Sequence, residues 1–321
     1  MPVSDALDDA PRHLPFVLGI IGDSGSGKST LSRGVRELIG PERVSTLELD
    51  DYHRYSRAER QELQLTALNP MVHNLSLMQE HLQLLRRGRP VRNRSYDHTD
   101  GTFGPLRTLE PEEVVIVRGL LGFPTEELRA AYDLTVFLYP EAELLFRWKL
   151  RRDTKSRGYS EAEVLKSIAR HLLDSKMYVL PQADRADLVV RYEVPEWDAP
   201  DTEVVTSLVL RRAAADAARG QGLEDRFGAY LRVEEQEGEQ GGLVIRVDSR
   251  MPPERVDAWG AELFPETYGA ARFGLYQDEE GGEGRLIPLS FAQVLIAYLT
   301  QKLRRPAQPA AEPADEPVRV D

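Results

Sequence analysis

The sequence predicts an α/β fold, a mostly parallel sheet covered by helices with a smaller α+β region behind it. Three observations carry the prediction. Strand-like and helix-like runs alternate from residue 14 to about 195, the pattern of parallel strands joined by crossover helices. The first strand-like run leads into a glycine-rich segment that opens a helix. With 321 residues, 41% of them hydrophobic, the chain can bury a large core.

The elements follow in order. Phe16–Ile21 is a continuous apolar run, as a buried strand requires, and Ser29–Ile39 carries apolar residues at helical spacing. Between them Gly22–Ser29, GDSGSGKS, matches G-x-x-x-x-G-K-[ST] in full. Glycines there let successive N–H groups turn inward onto phosphate oxygens, and the helix N-terminus adds partial positive charge. Gly22, Asp23, Ser24, Gly25, Ser26, Gly27, Lys28, Ser29 and Thr30 are therefore the candidate phosphate cradle. Lys28 reaches the terminal phosphates, and Ser29 supplies a hydroxyl to Mg²⁺. Nucleoside triphosphate binding and a P-loop NTPase-like sheet follow.

The second strand, Val44–Leu49, delivers Asp50-Asp51-Tyr52-His53 at its C-terminal end, the side of an α/β sheet where ligands bind. A carboxylate there can accept the proton of an attacking hydroxyl. A GTPase would carry Asn-Lys-x-Asp, and the chain has no Asn-Lys pair. Leu75–Arg87 reads as a helix capped by Asn74, with Leu75, Met78, Leu82 and Leu85 on one face. Tyr96–Thr108, with Asp100-Gly101 inside it, reads as a hairpin that either shapes a pocket or turns on the surface. Val114–Val117, Leu134–Leu138 and Leu188–Tyr192 are the next strands. Ala142–Arg157 is read as one helix, with Lys149, Arg152, Asp153 and Arg157 along it or at its end. That row is either a solvated basic face or a group closing on phosphates through paired hydrogen bonds.

The polar, proline-flanked run Glu193–Asp201 reads as a boundary between residues 14–195, the kinase-like part, and an α+β region at 196–305. That region has strands at Val204–Leu210 and Leu243–Val247 and a helix at Phe291–Leu303. Residues 306–321, rich in Pro, Ala, Glu and Asp, are expected to be disordered.

Composition narrows the function classes. Residues 196–321 carry 24 acidic and 14 basic side chains, against 29 and 27 in residues 1–195, so the net charge of −12 is concentrated in the C-terminal region. No basic face for nucleic acid is expected, while a small anionic substrate in a local arginine pocket is compatible. The absence of cysteine excludes disulfides, thiolate metal sites and a cysteine nucleophile. Met1–Pro15 lacks the charge and apolar pattern of a signal peptide, and no run approaches the length of a membrane span. A cytoplasmic location without membrane partners is expected; oligomeric state is left open, a homodimer included.

These residues in this order resemble the phosphoribulokinase family, grouped with uridine and bacterial pantothenate kinases. The resemblance is carried by GIIGDSGSGKSTLSRG, LELDDYHRYSRAER, TALNPMVHNLSLMQEHLQLLRRGRPV, YDHTDG and RRDTKSRGYS, and more weakly by PQADRADLVV, over residues 16–192. It implies phosphorylation of D-ribulose 5-phosphate at its 1-hydroxyl with ATP and Mg²⁺. Asp50 matches the family's base. His53, Arg57, Arg152 and Arg157 match positions that contact the sugar phosphate, and Asp153 a second acid near metal and nucleotide. Lys149 matches a basic residue of the same helix, and His98 lies in the substrate-side YDH segment. Two departures stand out. Arg118 occupies the place of a family Glu that helps to hold Mg²⁺, and Ser26 that of the Cys found in redox-regulated members. A uridine, cytidine or pantothenate acceptor, or an ATP-binding regulatory protein with little catalysis, are the competing expectations.

Overall fold

The computed structural model describes residues 14–194, 203–236, 241–277 and 282–304. Its elements are, in chain order, β1 (Phe16–Gly22), α1 (Lys28–Ile39), β2 (Val44–Glu48), α2 (Arg57–Glu62), α3 (Leu75–Arg86), β3 (Val91–Tyr96), β4 (Phe103–Leu109), β5 (Val114–Gly119), α4 (Glu126–Arg129), β6 (Leu134–Pro140), α5 (Ala142–Arg151), α6 (Glu161–Asp174) and β7 (Leu188–Glu193). Then follow β8 (Val205–Arg211), α7 (Arg212–Arg219), α8 (Leu223–Phe227), β9 (Leu231–Gln236), β10 (Gly242–Val247), α9 (Pro253–Leu263), β11 (Leu275–Gln277), β12 (Glu283–Arg285) and α10 (Ile287–Leu303).

One eight-stranded sheet organises the molecule in the order β2-β5-β1-β6-β7-β8-β10-β9. From β2 to β7 neighbours are parallel; β8, β10 and β9 continue antiparallel. β1 is buried over its whole length because helices cover both of its faces. Alternation at period two divides its side chains between two cores. Phe16, Leu18 and Ile20 join Leu31, Val35 and Leu38 of α1 and most of α10. Val17 and Ile21 join Met78, Leu82 and Leu85 of α3. The chain leaves β1 through α1 for β2 on one side and later crosses from β5 to β6 on the other, so the C-terminal end of β1 is the switch point at which such sheets bind ligands.

The strands expected from sequence form, and Asn74 caps α3 by accepting the Leu77 N–H at 3.3 Å. Two readings are corrected. The helix expected over Ala142–Arg157 is α-helical only to Arg151; Arg152–Ser156 is a single π-turn, which re-aims the side chains after Arg151. The hairpin starts earlier than Tyr96, pairing Val91 with Leu109 and Tyr96 with Phe103 around a turn at residues 97–102. The boundary read at 193–201 falls mostly on residues 195–202, outside the described residues, and beyond it β8 pairs with β7 in the same sheet. The tail 306–321 also lies outside the described residues. Among the described residues no helix is long and apolar enough to cross a membrane.

The C-terminal region reaches the glycine loop through α10, 13 of whose 17 residues are buried. Its Gln293 donates to the carbonyl of Thr30 at 2.9 Å in the first turn of α1. Gly34 makes the approach possible, since a Cβ there would lie 2.2 Å from Gln293 Cδ.

Candidate active site

The glycine loop closes over the C-terminal end of β1. Gly25 and Gly27 take φ of 89° and 91°, a left-handed backbone that side chains resist, and so turn the loop back on itself before α1. Lys28 Nζ lies 2.9 Å from the Gly22 carbonyl and 2.7 Å from that of Asp23, arched across the loop. Loss of surrounding water pulls its pKa down to about 8, with the Asp23 and Asp50 charges opposing the shift. Asp23 is buried, its carboxylate accepting from Ser175 Oγ just beyond α6, so only its backbone is available to a ligand. Ser24 Oγ accepts from Arg152 at 3.1 Å. Ser26 is fully buried with its Oγ unpartnered, and Ser29 is exposed in the first turn of α1.

Asp50 and Asp51 lie in a 3₁₀ turn, Leu49–Tyr52, that ends β2, and the turn sends the two carboxylates to different work. Asp51 accepts the Tyr96 N–H at 2.7 Å while its carbonyl accepts from Asn93 Nδ2 at 3.0 Å, which ties the β3–β4 hairpin to the sheet. Burial and the Glu48 and Asp50 charges push its pKa up to about 6, against that backbone hydrogen bond. Asp50 instead meets His98, whose Nε2 is 3.1 Å from Oδ2. Burial opposes its ionisation, but the His98 hydrogen bond and neighbouring imidazoles outweigh it and hold the carboxyl below the ordinary carboxylate range. Oδ1 has no hydrogen-bond partner among the described residues.

The hairpin thus brings in His98, for which the sequence left a surface role open. His53 Nδ1 sits 2.7 Å from the Asp50 carbonyl, an acceptor only, so Nδ1 carries the proton. Its ring lies between Tyr96, stacked at 4.9 Å, and His73 at 4.5 Å. Burial, then the charge of His73, pull its pKa down to about 3. His53 is therefore neutral, and its buried, unpartnered Nε2 is an acceptor. A neutral acceptor of this kind can take a hydrogen bond from a hydroxyl.

A basic wall faces the carboxylates across a cleft of about 930 Å³. Arg57 donates to the carbonyls of His98 and Thr99 at the hairpin tip, at 2.6 and 3.4 Å. Arg152 and Arg157 both pair with Asp153 Oδ1, at 2.8 and 3.4 Å. Asp153 is 6% exposed and organises the two guanidinium groups. Lys149 is buried beside the loop, with Nζ 3.1 Å from His171 Nδ1. Burial and the adjacent ammonium bring His171 down to about 3, leaving it a neutral acceptor. All the substrate-side residues expected from sequence therefore line one cleft with Lys28, Ser29 and Asp50.

Several cleft residues were not foreseen. Arg60 is buried, donating to the Tyr55 carbonyl at 2.6 Å and to Tyr96 Oη at 2.7 Å. Lys166, Arg170 and His171 come from α6, whose start was legible in Ser160 and Glu163, a capping box. Glu48 lies in the LELDDYH segment but was given no role; its place beside Arg118 depends on the register of β2 with β5.

The cleft suits a nucleotide with a divalent cation. The glycine loop, a lysine and an exposed Ser29 hydroxyl stand at one end, with carboxylates beside them. Among the described residues no three His, Asp or Glu side chains are grouped to hold a metal unaided. Mg²⁺ fits such a site, because it takes one or two carboxylates and completes its shell with phosphate oxygens and water.

Comparison with known proteins agrees with this geometry. A family model described as Phosphoribulokinase / Uridine kinase family matches residues 17–198. A phosphoribulokinase of Synechocystis sp. is 35% identical over 175 residues, covering 54% of this chain and 53% of that protein. A uridine kinase of Deinococcus deserti is 33% identical over 184 residues, covering 55% of this chain and 87% of that one. The solved structure of a phosphoribulokinase from Rhodobacter spheroides superposes with a TM-score of 0.57 at 18% identity, over 80% of this chain and 98% of that one, a likeness of fold. The matches to the phosphoribulokinases span about half of those proteins' length.

Proposed function

The chain belongs to the phosphoribulokinase / uridine kinase family, kinases whose acceptor is an alcohol, and from that premise we propose that it phosphorylates a sugar phosphate with ATP, D-ribulose 5-phosphate giving the 1,5-bisphosphate. The observation that carries the acceptor is the arrangement about Asp50. Its free oxygen lies in a cleft with the glycine loop and Lys28 at one end and Arg57, Arg60, Arg152 and Arg157 around the rest. A phosphorylated acceptor needs such a wall; a nucleoside does not. The reading also goes with a cytoplasmic setting, where ATP is at hand.

The chain's own groups divide the work. The loop amides and Lys28 hold the β- and γ-phosphates, and Ser29 with a neighbouring carboxylate would hold Mg²⁺. The bound metal supplies charge neutralisation as the β–γ bridge breaks. His98 fixes Asp50 through Oδ2, so that Oδ1 is turned to the acceptor hydroxyl. As the hydroxyl oxygen forms its bond to the γ-phosphorus, Asp50 takes the proton and ADP leaves. A carboxylate of low pKa suffices because proton transfer is late in a loose transition state, where orientation outweighs basicity. Arg152, bridging Ser24 and Asp153, stands where the transferring group passes between donor and acceptor.

Lys28 gives a pH expectation. Its cationic form binds phosphate; without nucleotide that form is present below about 8 and is lost as pH rises through that value. ATP binding at pH 8.5–9 is therefore expected to take up a proton and to weaken relative to pH 7. Calorimetry in two buffers of different ionisation enthalpy measures the uptake; proton release at that pH would contradict it.

Arg57→Ala and Arg157→Ala are expected to raise KM for a phosphorylated acceptor by roughly tenfold or more, the scale of a lost charge-assisted hydrogen bond, with KM for ATP little changed. Initial-rate kinetics on both substrates separate the two constants. Loss of ATP affinity alone would place these arginines on the nucleotide.

The acceptor is tested by ADP release with Mg²⁺ and ATP across ribulose 5-phosphate, ribose 5-phosphate, uridine, cytidine and pantothenate. Preference for uridine or cytidine would favour the second reading, which the high coverage of the Deinococcus deserti uridine kinase supports. Tight ATP binding with no turnover on any acceptor would favour a regulatory nucleotide-binding role.

A further inference from the structure

Where β2 and β5 end side by side, Glu48 stands opposite Arg118 in the sheet register. Arg118 Nε donates to Glu48 Oε1 at 2.6 Å, and a second guanidinium nitrogen reaches the same oxygen. A third donates to Ser32 Oγ on α1 at 3.0 Å. This is an unusual use of the pair. A guanidinium and a carboxylate left to themselves meet fork to fork, each nitrogen on its own oxygen. Here the link to Ser32 turns the guanidinium so that both nitrogens load onto Oε1. Glu48 Oε2 is left without a partner among the described residues, on a side chain 42% exposed in the cleft that Lys28 and Ser29 also line.

The other carboxylates of the cleft are committed elsewhere. Asp50 is held by His98 through one oxygen and turns the other to the acceptor hydroxyl in the reading above, Asp51 is held by the hairpin backbone, Asp153 by two arginines and Glu163 by its capping box with Ser160. Glu48 is the remaining one, and it pairs a fixed orientation with an oxygen that has no partner among the described residues, in the cleft that the glycine loop also lines. The cation at position 118 therefore does not stand bare against a metal. It spends its charge on one oxygen of Glu48 and aims the other.

We propose that Glu48 is the protein carboxylate that faces the divalent cation accompanying the nucleotide phosphates, and that Arg118 is its positioning residue, locked in turn by Ser32. The inference rests on the ATP-binding reading above. It assigns to β2 and β5 together a task that either strand alone leaves undone: β5 ends in a cation, and the Glu48 side chain without Arg118 swings freely.

The test is binding of a fluorescent ATP analogue to the full chain, titrated with Mg²⁺ and repeated in EDTA, with thermal unfolding measured beside it. Wild type is expected to bind in EDTA and more tightly with Mg²⁺. Glu48→Gln is expected to keep the EDTA affinity and lose most of the Mg²⁺ enhancement. Arg118→Met is expected to raise the Mg²⁺ concentration required by roughly 10–100-fold, the usual effect of removing an outer partner of a metal ligand. The exchange Glu48→Arg with Arg118→Glu keeps one carboxylate and one guanidinium in the same pair of positions and is expected to recover the enhancement. It decides the question if either single variant unfolds. A Mg²⁺ dependence in Glu48→Gln equal to wild type overturns the proposal while leaving ATP binding in place. An EDTA affinity that falls as far as the Mg²⁺ affinity overturns it in favour of a structural ion pair. Wild type that binds no nucleotide removes the underlying reading, and this inference with it.

Discussion

Lys28→Ala is expected to lower turnover by at least about 10²–10³-fold, the scale of removing one preorganised group from a developing charge. The side chain crosses the loop to the Gly22 and Asp23 carbonyls and belongs to neither apolar core, so the loss falls on function. Two hydrogen bonds go with it, worth about 1–3 kcal/mol together, and the melting temperature should fall by no more than about 10 °C. Turnover and thermal unfolding measured on the same preparation separate the effects. Activity near wild type would remove the phosphate-loop account of this protein, whereas a collapse of stability would show that Lys28 is a structural strut.

Asp50→Asn carries the second large effect, a fall in turnover of roughly 10²–10⁴-fold, as for a lost general base, with ATP affinity little changed. The amide keeps the shape of the carboxylate and can still accept from His98, so the variant isolates proton acceptance. Asp51→Asn is the internal control. Its pKa of about 6 makes it the stronger base of the pair, yet its oxygen is engaged with the Tyr96 N–H, and Asn can keep that bond. A small effect at Asp51 and a large one at Asp50 means that orientation decides. The reverse result would mean that basicity does, and the base would have to be reassigned.

How much of this was legible in the sequence depended on the range of the interaction. The loop, β1 and α1 are specified by neighbouring residues, and the motif located them without help from the rest of the chain. Arg57, Arg152, Asp153 and Arg157 were found through motifs, but that one oxygen of Asp153 holds both Arg152 and Arg157 was not, since the turn at Arg152–Ser156 is not α-helical. Asp50 and His98, separated by 48 positions, meet because Asp51 anchors the hairpin, a contact that no local periodicity encodes. Glu48 was invisible for the same reason: its role exists only in the register between β2 and β5. The strand β9 was missed because its residues are mostly polar and exposed, as an edge strand's are.

The contact between Gln293 and Thr30 also has a temporal side. The two residues lie 263 positions apart, so at translation rates of about 5–20 residues per second the helix that bears Lys28 and Ser29 waits tens of seconds or more for its neighbour. During that interval Leu31, Val35 and Leu38 lack the apolar surface that α10 contributes to their cluster. A nascent chain stalled short of α10 thus presents a sticky, incompletely supported cradle, the kind of species that chaperones bind. Maturation of the nucleotide site is therefore a late event in the life of each molecule.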